Sequence, residues 1–464
     1  MQNLLIHNAT IATSSEVFRG GVLVEGEKVA RLYREGEALP SPTEASRFDA
    51  GGHLLLPGGV DAHTHFDLDV GFTRASDDFY TGTVAAALGG TTTVIDHMAF
   101  GPPGCALCHQ PAVYHRLAQR AVVDYGFHGV VQHVNDEVLA DMARLRDDEG
   151  ISSVKVYLTY DYKLEDADVL RVLQRAKELG LTVCVHCEND AAITALRAQY
   201  VREGHTQARY HPLSRPAAAE AEAVFRTLML AHIAGDAHIY IVHLSSKRGL
   251  AALQLARAEG QKNITAETCP QYLSLTDEKY DDDAEGLKYI MSPPLRKPAD
   301  VDALWQALAA GEVDTIGTDH CPFFFATQKQ RGAGDFTQCP NGAPGVELRM
   351  ALLFSEGVRA GRISLPQMVR CCCTTPARVF GAAPAKGDIV PGADADFVLF
   401  DPDAEWTVRA EDLHENVDYT PYEGMRLRGR PTHTFSRGQL IAEHGVFLGN
   451  EGRGRYLRRT AHPV

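Results

Sequence analysis

Leu181-Thr182-Val183-Cys184-Val185-His186 is a short apolar run that closes on a histidine and gives way to an Ala- and Leu-containing, helix-forming stretch. The same cadence recurs at Val94-Ile95, at Ile239-Tyr240-Ile241-Val242 ahead of His243, and at Thr315-Ile316-Gly317-Thr318 ahead of Asp319. Short strands alternating with helical segments predict a parallel α/β architecture, and a closed (β/α)8 TIM barrel suits the length. A doubly wound sheet is the structural alternative. A barrel of about 250 residues leaves part of this 464-residue chain for a companion domain.

The two ends of the chain read differently. Val22-Leu23-Val24 and Val29-Ala30-Arg31-Leu32 flank the turn Glu25-Gly26-Glu27-Lys28, as in a β-hairpin. Asp396-Phe397-Val398-Leu399-Phe400, Gln439-Leu440-Ile441-Ala442 and Gly445-Val446-Phe447-Leu448 are further short β segments. The expectation is a barrel over residues 58–385, with residues 1–57 and 386–464 pairing into one small, β-sandwich-like domain.

Composition narrows the class of function. No apolar run approaches the ~18 residues of a membrane span, and a net charge of −15 opposes attraction to nucleic acid or an anionic membrane. A small-molecule ligand is expected. The first residues show neither a basic leader nor a secretory apolar segment, so the reading is cytoplasmic. Ten cysteines, three of them adjacent at 371–373, suit a reducing compartment better than a disulfide framework. The pairs Cys105/Cys108 and Cys184/Cys187 have zinc-ribbon spacing. They are rejected as a zinc site because Cys184 and Cys187 should face opposite ways and a stretch of barrel separates the pairs. The basic tail Gly452–Arg459, the Asp281-Asp282-Asp283 run, and His97, His109, His128 and His133 receive no function.

Chemistry concentrates in Pro57-Gly58-Gly59-Val60-Asp61-Ala62-His63-Thr64-His65. Residues two apart on a strand face the same way, so His63 and His65 can present imidazoles to one ion. Two histidines at this spacing are usually incidental. His186, His243 and Asp319, however, also stand at strand ends, and a parallel barrel gathers those ends around one mouth. Each has a bland reading as a backbone hydrogen-bonding or capping residue; their coincidence argues for a site. Four histidines and one carboxylate are few ligands for two divalent ions. Lys155, inside the apolar run Ser152-Ser153-Val154-Lys155-Val156-Tyr157-Leu158, is a candidate bridge: burial frees a neutral amine that can add carbon dioxide. A lysine in a strand is otherwise a snorkelling surface residue.

These segments, with Gly89-Gly90-Thr91-Thr92-Thr93-Val94-Ile95-Asp96, Lys155-Val156-Tyr157-Leu158-Thr159-Tyr160, Val185-His186-Cys187-Glu188-Asn189 and Gly317-Thr318-Asp319-His320, resemble the hydantoinase/dihydropyrimidinase family of cyclic amidohydrolases. The resemblance covers almost the whole chain. Asp69–Phe79 and Asp96-His97-Met98 are most similar to the bacterial D-phenylhydantoinase branch. The resemblance implies that His63, His65 and Asp319 bind one metal ion, that His186 and His243 bind a second, and that carboxylated Lys155 bridges them. It also implies that Tyr160 contacts the substrate carbonyl while the main chains of Ser292 and Asn341 hold the cyclic amide. Zinc and a homotetramer are further implications.

On this reading two bound cations bring the pKa of a shared water from 15.7 towards ~7, Tyr160 stabilises the developing oxyanion, and Asp319 moves the proton to the leaving nitrogen. The expected reaction opens 5-substituted aryl hydantoins to N-carbamoyl amino acids, D-selectively. The loop of Phe66, Leu68, Val70 and Phe72, together with Tyr157, is a candidate pocket for the ring substituent, with Leu68, Phe72 and Tyr157 foremost and core packing the competing account. Dihydropyrimidinase and allantoinase activities are the nearest rivals. A non-catalytic scaffold on the same fold is the rival of a different class, disfavoured by the full ligand set.

Overall fold

The computed structural model describes residues 3–41 and 43–463. Eight parallel strands follow one another in sequence order: β1 (Gly59–Thr64), β2 (Thr91–His97), β3 (Asp124–Val130), β4 (Ser153–Tyr157), β5 (Thr182–His186), β6 (Ile239–Ile241), β7 (Ile264–Thr268) and β8 (Thr315–Ile316). Closure comes just beyond β8. Asp319 N donates to His63 O and His65 N donates to His320 O, both at 2.9 Å. The expected (β/α)8 barrel is therefore the observed one, and the doubly wound alternative falls.

The strands are short and apolar because both faces are covered; every residue of β1, β2, β3, β4 and β5 is buried. Outer helices present one apolar stripe to this sheet. In Asp166–Leu179 the buried residues Val169, Val172, Leu173, Ala176 and Leu179 recur at three- and four-residue steps. That helix ends at Gly180, whose φ of +69° suits glycine, and a Cβ there would lie 2.1 Å from His462 O.

A second, mostly antiparallel sheet unites the chain ends. Leu54–Pro57 pairs with Phe397–Thr407, placing Leu56 opposite Val398; Leu4–Ala12, Val17–Glu25 and Lys28–Arg34 extend it one way, and Arg426–Ser436, Gln439–Glu443 and Val446–Phe447 the other. Ser46–Asp49 adds to Leu4–Ala12 in parallel. The sheet folds over itself, so that Phe48 meets the Phe435 ring edge-on at 5.2 Å across a core of Ile6, Ile11, Val22, Leu55 and Phe397. The basic tail then leaves this sheet and runs beneath the barrel. Leu457 N donates to Tyr125 O (2.7 Å) and His462 N to Gly180 O (2.9 Å), while the buried Arg459 guanidinium reaches Ser152 Oγ (3.0 Å) and Phe380 O (3.3 Å).

The closing seam rests on Arg349, which is fully buried. Its guanidinium donates to Val60 O (3.0 Å) on β1, Ile316 O (2.9 Å) on β8 and Thr91 Oγ1 (3.1 Å) on β2, with Asp61 at 3.9 Å. Replacing it strands a buried carboxylate and several carbonyls. Arg349→Met is expected to lower unfolding free energy by about 3–5 kcal/mol, read as a shift in the urea midpoint at unchanged slope; an unchanged midpoint would remove Arg349 from this role.

Candidate metal centre and active site

The alternation of β1 carries His63 and His65 to one side, where the turn after β8 delivers Asp319. His63 Nε2 and His65 Nε2 lie 3.0 and 3.1 Å from the same Asp319 Oδ1. One ligand atom from each of these three residues can be chosen with all three within 4.8 Å of one another. His63 Nε2 is buried and lies beside Asp319 Oδ1 without hydrogen-bond geometry, an unsatisfied state that a bound cation would relieve.

A second pair stands opposite. His186 ends β5 and His243 lies just past β6; His186 Nδ1 and His243 Nε2 approach to 2.9 Å. The His63 and His243 rings are 5.5 Å apart, which joins the two groups in one site. Lys155 of β4 is 1 % exposed, and its Nζ lies 5.1 Å from the centre of the Tyr157 ring. Burial lowers the ammonium pKa, which favours the neutral amine.

Each group of candidate ligands has a carboxylate behind it. Glu267 Oε1 receives His63 Nδ1 at 2.6 Å and the main-chain N–H of His243 at 2.9 Å. Glu188 Oε2 holds His186 Nε2 at 2.8 Å and is paired with the buried Arg215 at 2.5 Å. Carboxylate partners of this kind fix ring orientation and tautomer. Burial alone would raise the Glu188 pKa, yet Arg215 and His186 hold it at about 2. Burial would likewise raise Asp319, but His63 and His65 keep its carboxyl well below the usual range. Burial pushes His65 down to about 4. In His63 the carboxylates of Glu267 and Asp319 overcome burial and raise it to about 9.

Tyr160 sits beside this cluster, its ring 5.3 Å from His186 and its backbone at φ +75°. Burial pushes its phenol up to about 12. Ser292 Oγ and Asn341 Oδ1 are hydrogen-bonded at 2.8 Å, so these two segments meet. Of the candidate substituent residues, Tyr157 packs between Phe100 (5.1 Å) and Tyr160 (6.0 Å). Leu68 lies against Ala75, Cys321 and Phe323. Phe72 is 53 % exposed, with the Arg331 guanidinium 5.0 Å over its ring.

Sequence reasoning missed Glu267, Glu188, Arg215 and His97. Glu267 stands near the end of Ile264-Thr265-Ala266-Glu267-Thr268, a run of the same kind as those that yielded the histidines, so the strand-end argument could have reached it. Arg215 lies in a loop with no local pattern. His97, set aside earlier, stacks on His128 at 4.2 Å and meets His63 edge-on at 4.5 Å.

Comparison with known proteins agrees with this geometry. The sequence model of the amidohydrolase family matches residues 54–441. A D-phenylhydantoinase from Escherichia coli is 49% identical over 457 residues, 98% of each chain. The chain belongs to the hydantoinase/dihydropyrimidinase group of the amidohydrolase family. Among solved structures, a dihydropyrimidinase from Brevibacillus agri superposes with a TM-score of 0.96 at 44% identity, covering all of both chains. A D-hydantoinase from a Bacillus species gives 0.95 at 41% identity, covering 99% of this chain and all of that one.

The carboxylate behind His63 yields a test. Glu267→Gln is expected to weaken metal retention about 10- to 100-fold in a competitive chelator titration, while far-ultraviolet circular dichroism stays as in the parent. Parental retention would reduce Glu267 to a packing residue.

Proposed function

We propose that this chain hydrolyses the ring amide of 5-aryl hydantoins to N-carbamoyl amino acids, with preference for the D enantiomer. The observation that carries the reading is the convergence of four buried histidines, Asp319 and the neutral-prone Lys155 at one barrel mouth. The substrate class follows from the phenylhydantoinase relative.

The donor set suits two divalent cations of the zinc type, which favour imidazole and carboxylate ligands. His63, His65 and Asp319 would hold one, His186 and His243 the other, and Lys155, carboxylated on Nζ by carbon dioxide, would bridge them. Such cations, when bound, bring the pKa of a water towards ~7 and polarise a carbonyl.

The chain's own groups do the remaining work. Tyr160, kept protonated by burial, donates its hydroxyl hydrogen to the ring carbonyl oxygen as charge builds there. Asp319, kept ionised by the flanking histidines, accepts the proton of the attacking water and passes it to the ring nitrogen as the C–N bond breaks. Main-chain groups of Ser292 and Asn341 bind the planar imide, and the contact between their side chains keeps the two segments in register. Tyr157 and Leu68 offer apolar surface to the aryl substituent, with Phe72 at the outer rim. We further propose a cytoplasmic homotetramer, on the family resemblance.

Dihydropyrimidine rings are the second reading, favoured by the Brevibacillus agri neighbour. With enzyme supplied with zinc and bicarbonate, 5-phenylhydantoin should open faster than dihydrouracil or allantoin. A preference for dihydrouracil would transfer the assignment to the second reading.

Lys155→Arg probes the bridge, because arginine stays protonated and cannot form the carbamate. Zinc per chain and ring opening should both fall sharply. Full zinc content with normal turnover in this variant would end the bridge proposal.

A further inference from the structure

Arg215 follows the short helix Tyr210–Ser214 and precedes Pro216 and the helix Ala217–Ile233, and no part of the ring-opening scheme uses it. It is 2 % exposed, and a cation is buried this deeply only where its surroundings hold it. Its main-chain carbonyl accepts a hydrogen bond from the Arg296 guanidinium, which also donates to Ser245 Oγ at 3.0 Å. Its side chain faces two groups at once. Nη1 meets Glu188 Oε2 at 2.5 Å, the same oxygen that receives His186 Nε2 at 2.8 Å. The guanidinium carbon stands 5.6 Å from the centre of the Tyr160 ring.

We propose that Arg215 is a positioning residue that ties the Tyr160 phenol to the His186 imidazole through Glu188. This claim rests on the function proposed above. The planar fork donates along its edge to the carboxylate while its charge attracts the aromatic face. One rigid group thereby fixes the distance between the oxyanion donor and a metal ligand. Tyr160 needs an outside hold of this kind, because its φ of +75° is unfavourable for a bulky residue. Arg215 touches neither reacting atom in this scheme; it acts through its two neighbours.

The test is a double-mutant cycle with Arg215→Met, Arg215→Lys and Tyr160→Phe, run beside zinc content after dialysis and a thermal unfolding scan that identifies folded variants. Arg215→Met should lower kcat about 10- to 100-fold with KM changing less than about threefold. In the Tyr160→Phe background the same change should cost at least about tenfold less than in the parent. Arg215→Lys can still pair with Glu188 and should keep parental zinc, yet lose the Tyr160-dependent part of the rate. Arg215→Met should retain less zinc than the parent. Independent, multiplicative effects of the Arg215 and Tyr160 changes, or parental zinc in Arg215→Met, overturn the proposal; the lysine variant keeps it decidable if the methionine variant fails to fold. If the parent chain opens no cyclic amide, the proposed function falls, and zinc content then judges the Arg215–Glu188–His186 link by itself.

Discussion

The buried carboxylate of Glu267 ties the candidate centre to the barrel wall. From β7 it receives His63 Nδ1 of β1 at 2.6 Å, the His243 main-chain N–H past β6 at 2.9 Å, and the Tyr240 hydroxyl of β6 at 2.8 Å. Space for it exists only because residue 317 is glycine. A Cβ there would stand 2.3 Å from Glu267 Oε2 and 2.8 Å from His63 Cβ. The Gly317-Thr318-Asp319-His320 motif is thus two devices in four residues: a glycine that admits the carboxylate, and an aspartate that meets the histidine which that carboxylate orients.

The same economy governs the buried charges. Burial penalises every ion in the site, and the structure answers with partners placed between elements. Glu188 is answered by Arg215, Asp319 by His63 and His65, and the remaining imidazoles, His186 and His243, are left with depressed pKa values. Neutral imidazoles are the form that binds a cation. Lys155 is answered by no carboxylate within 4 Å among the described residues. Burial lowers its ammonium pKa, the direction that favours the neutral amine.

Most of the barrel was legible from the chain because its strands are short apolar runs with a distinctive last residue. His186, His243 and Asp319 could be placed at one mouth from parallel topology alone, and the structure brings them together with His63 and His65. The β-richness of both ends was enough to predict that they pair into one small domain. Its register, Leu56 opposite Val398, depends on contacts across hundreds of residues and has no local signal. Arg349, Arg215 and the tail residue Arg459 were invisible for a related reason. Each is a buried cation held by groups distant in sequence: Val60 O and Ile316 O for Arg349, Glu188 for Arg215, and Ser152 Oγ and Phe380 O for Arg459. The tail's basic character was legible from composition; the cavity that accepts Arg459 was not.

The backbone carries a final constraint that links stability to the site. Tyr160, His243 and Asp319 have φ values of +75°, +39° and +55°, a region that non-glycine residues enter at a cost of order 1–3 kcal/mol each. The three fall on separate loops at the same mouth, and each carries a side chain assigned to the centre. Glycine would relieve the backbone but could supply neither phenol, imidazole nor carboxylate. Asn8, Asp67, Asp236, Arg437 and His444 take positive φ elsewhere; at the mouth the strain coincides with side chains of the candidate centre, and the parts around it bear it: the seam held by Arg349, the wall held by Glu267 and the loop held by Arg215. A barrel whose lower half is densely paired can sustain an upper rim that is locally unfavourable, with Arg349 holding the seam while Glu267 and Arg215 brace the site's own side chains.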